Sequence, residues 1–218
     1  MTLESNPYIP DIADIHLARA RIDDWTRITP VLNDPALDRQ LECRLYCKCE
    51  NLQRTGSFKF RGASNAIRKL REDGIEGNVA THSSGNHGAA LALAASLDKR
   101  EAHVVMPENS VPMKIESVRS NGGVVHFCKP THEGREEELK KLVADGNIPV
   151  HPYDSADIIA GQGTASIELF QEIPSLDLVI TPLGGGGLIS GTAIAAETYG
   201  IGVFAVEPAG AADTVASL

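Results

Sequence analysis

Between residues 78 and 146 three strand–helix units of similar size follow one another, a repeat of pattern and not of sequence. A short β-branched run is followed each time by a helical stretch: NVATHSS leads into AALALAASL, AHVVMP into residues 111–120, and GGVVHF into HEGREEELKKLVADG. Strands kept apart by helices cannot pair as hairpins, so the pattern calls for a parallel sheet with helices over its faces. The alternation then resumes. PVHPY precedes a helix predicted from Gly163 to about Gln171, a strand follows over 176–182, and GGGG joins it to a helix over 188–199 and the strand GVFAVEP. Ahead of the repeat, Ile12, Ile15 and Ile22 recur at helical spacing, RLYCKCE reads as a strand over 44–50, and residues 58–73 read as a helix that Gly74 stops. The expectation is an α/β fold with two open parallel sheets. A small α/β domain of residues 75–149 is inserted into a larger one, made of 1–74 and 150–218, with a ligand cleft between them.

Composition narrows the function classes. The 218 residues are 42% hydrophobic and 22% charged, which is ordinary for a globular protein. No apolar run reaches the roughly 18 residues of a membrane span, and the opening MTLESNPYIPDIADIH lacks the basic start and apolar stretch of a secretory signal. These features predict a cytoplasmic protein without a membrane partner. A net charge of −9 argues against nucleic acid, whose phosphates need cations. All 20 Lys and Arg lie at or before Lys141, and nine acids follow it. The plain reading is a solvated acidic face; even so, an anion bound by the last third must be held by backbone N–H groups. Cys43, Cys47 and Cys49 have a C-x3-C-x-C spacing that fits neither a zinc ribbon nor a haem site. With Cys128 they are expected to be buried reduced thiols, Cys47 and Cys49 facing one side of their strand and Lys48 the other.

Three loops could carry chemistry. In LDLVITPLGGGGLISG an apolar strand runs into Gly184, Gly185, Gly186 and Gly187 and then into a helix. Such a loop can be a tight turn, or its converging N–H groups and the helix N-terminus can cradle a phosphate. It is not a dinucleotide fingerprint, because Ile189 or Ser190 stands where the third glycine belongs, which disfavours a nucleotide-binding module. In ATHSSGNHG, Ser83, Ser84, Asn86 and His87 crowd the start of a helix, either as caps or as a carboxylate site. In RTGSFKFRG, Lys59 lies between Phe58 and Phe60 and beside Arg61. Most lysines are solvated, but an apolar wall and a nearby cation lower the pKa as a Schiff-base nucleophile requires. A cofactor with an aldehyde and a phosphate, acting on amino acids, would use all three loops.

ENLQRTGSFKFRGA, SSGNHG and GGGG, in this order, resemble the signature loops of the serine/threonine dehydratases, pyridoxal-phosphate enzymes of fold type II (tryptophan-synthase-β-like). The similarity runs over nearly the whole chain and is greatest to the eukaryotic serine racemases, through THSSGNHG, IAGQGT and VEPAGAAD. The resemblance implies racemisation or β-elimination at small hydroxy amino acids such as serine or threonine. Lys59 would carry the cofactor and move the Cα proton on one face, with Ser84 acting on the other. Phe58 would pack beside the cofactor ring, Asn86 bind its 3′-oxygen, and Gly184 to Gly187 hold its phosphate. Ser83, Ser84, Asn86 and His87 would form the substrate-carboxylate loop, and Arg135 would accompany closure of the small domain. Glu207, Asp213 and the Ala211 carbonyl match a Mg²⁺ or Ca²⁺ site, and a homodimer is implied. Ala89 stands where these racemases have a glutamine near a nucleotide effector site, so the resemblance does not extend to ATP activation. The chain stops about a third short of the family's length, which implies an unpaired edge and a bare apolar face on the larger sheet. A truncated homologue without catalysis is the competing expectation.

Overall fold

The computed structural model describes residues 8–83, 85–212 and 214. In chain order the elements are α1 (Ile12–Ile22), β1 (Val31–Asn33), α2 (Pro35–Leu41), β2 (Tyr46–Lys48), α3 (Lys59–Glu72), β3 (Val79–His82), α4 (Asn86–Leu97), β4 (Ala102–Pro107), α5 (Pro112–Ser120), β5 (Gly123–Cys128), α6 (His132–Ala144), β6 (Ile148–Pro149), α7 (Ala156–Glu172), β7 (Leu178–Pro182), α8 (Gly187–Tyr199) and β8 (Gly202–Val206). Two 3-10 turns, Glu50–Leu52 and Arg54–Gly56, lead into α3, and a third covers Ala209–Ala211.

The threefold repeat forms a four-stranded parallel sheet in the order β5-β4-β3-β6. Side chains alternate across it, as the strand period requires. Val79, Val104 and Met106 face one core with α4 and with Phe60, Ala63 and Ile67 of α3. Ala80, Val105 and Cys128 face the other, against Leu139 and Leu142 of α6. The strand order reverses between β3 and β6, so the crevice beyond their carboxyl ends is where an α/β sheet binds ligands.

The second sheet is a parallel pair, β7 and β8. Its inner residues join α1, α7 and α8 in a separate core around Ile15, Ile167, Phe170, Val179 and Ala195. Its outer face carries Ile180, Phe204 and Val206, 57%, 61% and 52% exposed, the bare apolar face expected from the sequence. A third, antiparallel pair joins β1 to β2.

Four expectations need correction. The helix predicted from Gly163 begins at Ala156, seven residues earlier. Gly161 and Gly163 both lie inside it, where they serve close helix crossings. A methyl at Gly161 would lie 2.6 Å from the Gly62 Cα and 2.9 Å from the Arg61 carbonyl oxygen; one at Gly163 would lie 2.9 Å from the Gly191 carbonyl oxygen. Next, the strand over 44–50 shortens to Tyr46–Lys48, because its partner β1 is only three residues long. Helix α2 was not anticipated; Asp34 caps it, accepting from the Ala36 N–H, and Pro35 opens it. Finally, only Cys128 is buried, while Cys43 and Cys47 are exposed and Cys49 is half-buried.

The crossing of α3 and α7 makes a direct prediction. Gly161→Ala sets a methyl against backbone that cannot yield, so it should destabilise the protein by about 1–3 kcal/mol in urea unfolding. An unchanged midpoint would show that the helices have room to part.

Candidate active site

Lys59 is the first residue of α3, delivered by a turn in which Thr55 (φ 60°) and Gly56 (φ 76°) are left-handed. A left-handed threonine is costly and persists only where the surroundings impose it. The Lys59 Nζ donates to the Pro152 carbonyl oxygen at 2.8 Å. It lies 5.4 Å from the centre of the Phe58 ring and 6.0 Å from that of Tyr153. Burial lowers its pKa to about 8. The sequence argument credited part of such a shift to Arg61, and the structure corrects this. The Arg61 guanidinium is fully buried between Glu50 and Glu168, and desolvation is what lowers the Lys59 pKa.

The second loop follows β3. The Ser83 Oγ accepts from the N–H groups of Gly85 (3.2 Å) and Gly88 (3.1 Å), so this hydroxyl works as a cap. Ser84 lies outside the described residues. Asn86 opens α4 and is exposed, whereas His87 behind it is 3% exposed, with neither ring nitrogen in a well-formed hydrogen bond. Burial, then the charge of Lys59, push the His87 pKa down to about 3 against a weak contact with the Val150 backbone, so the imidazole is neutral. Ala89, two residues further along the helix, is buried in the core. Arg135 on α6 is half-buried, with Nε 3.4 Å from the Thr131 carbonyl oxygen. Burial, and to a smaller degree neighbouring His151 and the Arg135 charge, lower the His82 pKa.

The third loop alternates. A methyl at Gly184 or Gly186 would meet nothing within 4 Å, while one at Gly185 or Gly187 would strike Tyr153. Gly186 has φ 87° and occupies the N-cap of α8, which has no side-chain cap. One side of the loop is therefore open, beside a 13-residue helix whose first N–H groups lack intrahelical partners.

All three loops converge on a segment the sequence reading did not single out, Val150–Asp154, which follows β6. Pro152 holds Lys59, Tyr153 touches Gly185 and Gly187, and the His151 ring stands edge-on to His82 at 6.4 Å. Its place beyond β6, at the reversal of strand order, is the signal that could have found it. A half-buried amine of lowered pKa and an open glycine cradle at a helix N-terminus, joined by one segment, fit a group that carries an aldehyde and a phosphate.

Residues 22–218 match the family described as pyridoxal-phosphate dependent enzymes. The chain belongs to that family. Within the family it is 46% identical over 210 residues to a serine racemase of Dictyostelium discoideum, covering 95% of this chain and 65% of that protein. It is 42% identical over 213 residues to a β-hydroxyaspartate dehydratase of Paracoccus denitrificans, covering 96% and 68%. The solved structure of maize serine racemase superposes with a TM-score of 0.93 at 42% identity, over 96% of this chain and 65% of that one. The chain thus spans about two thirds of the length of these relatives. The fold is that of the type II pyridoxal-phosphate enzymes, as the loops implied.

Among the described residues no three His, Cys, Asp or Glu side chains converge to hold a metal. The Glu207 Oε1 accepts from the Thr214 N–H at 3.2 Å, Ala211 lies in the last 3-10 turn, and Asp213 lies outside the described residues. No described helix is long and apolar enough to cross a membrane.

Proposed function

We propose that this sequence belongs to an enzyme that racemises serine and eliminates water from small hydroxy amino acids, the product of elimination then taking up water to release ammonia and, from serine, pyruvate. The observation that carries the reading is Lys59, a half-buried amine of pKa about 8 whose Nζ points at the segment touching the glycine cradle. The serine racemase and hydroxyaspartate dehydratase relatives support the substrate class. Bound pyridoxal phosphate supplies the electron sink that acidifies the Cα–H of an attached amino acid. The protein does the rest. Gly184 to Gly187 hold the phosphate through backbone N–H groups, Phe58 walls the ring, and Asn86 binds the 3′-oxygen. The start of α4, with Ser83, Asn86 and the neutral imidazole of His87, receives the substrate carboxylate. Arg135 comes down with the small domain, residues 75–149, over the larger part formed by 1–74 and 150–218. Lys59 moves the Cα proton on its own face, and Ser84 serves the opposite face. A base on each face permits inversion, while loss of the β-hydroxyl leads to elimination.

A divalent cation at Glu207, Ala211 and Asp213, a homodimer and a cytoplasmic location belong to the same proposal. No step is routed through the cation, because the described residues supply only one carboxylate of the set.

The test is an absorbance scan with pyridoxal phosphate, before and after L-serine, beside Lys59→Ala, with Mg²⁺ added or chelated. A visible band that requires Lys59 and shifts with serine, followed by pyruvate release, is the expected result. A band without turnover would favour the non-catalytic homologue. No Lys59-dependent band would overturn the reading for this chain.

A further inference from the structure

Four consecutive glycines give a loop very wide conformational freedom. A phosphate site built only from backbone N–H groups works only if those groups converge, so something outside the loop must hold its course. The helix start holds one end. The structure offers one further support.

A methyl at Gly185 would lie 2.2, 2.3 and 2.6 Å from Cδ1, Cγ and Cε1 of Tyr153, so the Gly185 backbone runs directly against that ring. A methyl at Gly187 would lie 2.9 Å from the Tyr153 carbonyl oxygen and 3.2 Å from its Cα. Tyr153 is itself held in place. The Tyr153 and Asp154 N–H groups donate to the His151 Nδ1, at 3.4 and 2.8 Å, and the His151 ring packs edge-on against Tyr153 at 4.6 Å. Pro152 between them restricts the turn further and holds Lys59 through its carbonyl. Gly184 and Gly186 face the opposite, open side.

We propose that Tyr153 is the positioning residue of the phosphate loop: its ring backs Gly185 and directs the N–H groups of the loop toward one phosphate on the open side. The proposal rests on the reading of the site as a pyridoxal-phosphate site. It explains why position 185 is glycine although its backbone is not left-handed: any Cβ would occupy the ring.

The test compares binding of pyridoxal phosphate with binding of pyridoxal, which lacks the phosphate, by absorbance and fluorescence titration. Tyr153→Ala should reduce the preference for the phosphorylated ligand by about ten-fold or more, while affinity for pyridoxal, titrated near pH 10.5 where the Lys59 amine is largely free with or without the ring, moves by less than about three-fold. Tyr153→Phe, which keeps the ring, should behave as wild type. Gly185→Ala should lose the preference, and adding Tyr153→Ala to it should restore part, since the clash is gone and two contacting sites couple. A purely structural role would lower both affinities together and give no such recovery. Should Tyr153→Ala fail to fold, Tyr153→Leu takes its place in both comparisons. An unchanged preference, or a double variant no better than Gly185→Ala, overturns the proposal alone. A wild-type chain that binds no pyridoxal phosphate overturns the site reading with it.

Discussion

Arg61→Ala is expected to destabilise the protein by about 3–5 kcal/mol, a large share of the roughly 5–15 kcal/mol that holds a domain together. Arg61 is 0% exposed, and its guanidinium is bound twice over. Nε and Nη2 donate to the two oxygens of Glu50, both at 2.8 Å, while Nη1 and Nη2 donate to the two oxygens of Glu168 at 2.7 and 2.8 Å. Lys48 completes the set, with Nζ 2.7 Å from a Glu168 oxygen. Two cations and two carboxylates are thus neutral together. Removing Arg61 leaves two largely buried carboxylates with one ammonium, and that uncompensated charge, rather than the lost bonds, makes the cost large. Arg61→Lys should recover little, because one ammonium cannot serve two carboxylates in the bidentate manner of a guanidinium. Urea unfolding measures both variants, and a loss below about 1 kcal/mol for Arg61→Ala would rule the network out as a determinant of stability.

The second expected result concerns Lys59. Covalent capture of the pyridoxal-phosphate aldehyde should rise with pH through a midpoint near 8, where burial places the amine. The sign follows from desolvation: burial penalises the ammonium, so the free amine appears at lower pH than in solution. At pH 7.5 an amine of pKa 8 is about one quarter unprotonated and an unperturbed lysine about one part in a thousand, a gain of roughly 200-fold in reactive amine. The same shift means that Lys59 costs stability below pH 8 and ceases to do so as pH rises through the window from 8 to the ordinary lysine value. Stopped-flow absorbance from pH 6 to 10, with a model amine alongside, reads the midpoint. A value above 10 would show that the amine is solvated and that the Phe58 and Tyr153 walls do not close around it.

Much of the candidate site could be read from the sequence because its parts are local. A glycine loop between strand and helix, a polar cluster at a helix start and a lysine between two phenylalanines each lie within a few consecutive residues, and the physics of helix termini acts at that range. The roles that failed depended on direction. Arg61 is two residues from Lys59, but at the start of a helix that spacing turns the side chains apart, into a different environment. The helix predicted from Gly163 left the first half of IAGQGT outside it. The segment is the middle of a helix, where Gly161 and Gly163 let α1, α3 and α8 approach.

The order of strands and helices, the three loops and the absence of cations after Lys141 were properties of the chain itself, set by hydrophobic period and residue type over short spans. Only tertiary structure decided what each loop faces. The alternation within GGGG, with two glycines open and two against Tyr153, exists because a segment some thirty residues earlier in the chain returns beside it at the reversal of strand order. The pKa of Lys59 and the neutrality of His87 have the same origin. Desolvation depends on what surrounds a group, and here the surroundings come from α3, α4 and the segment after β6, which are distant in sequence and meet only when the sheet closes around them.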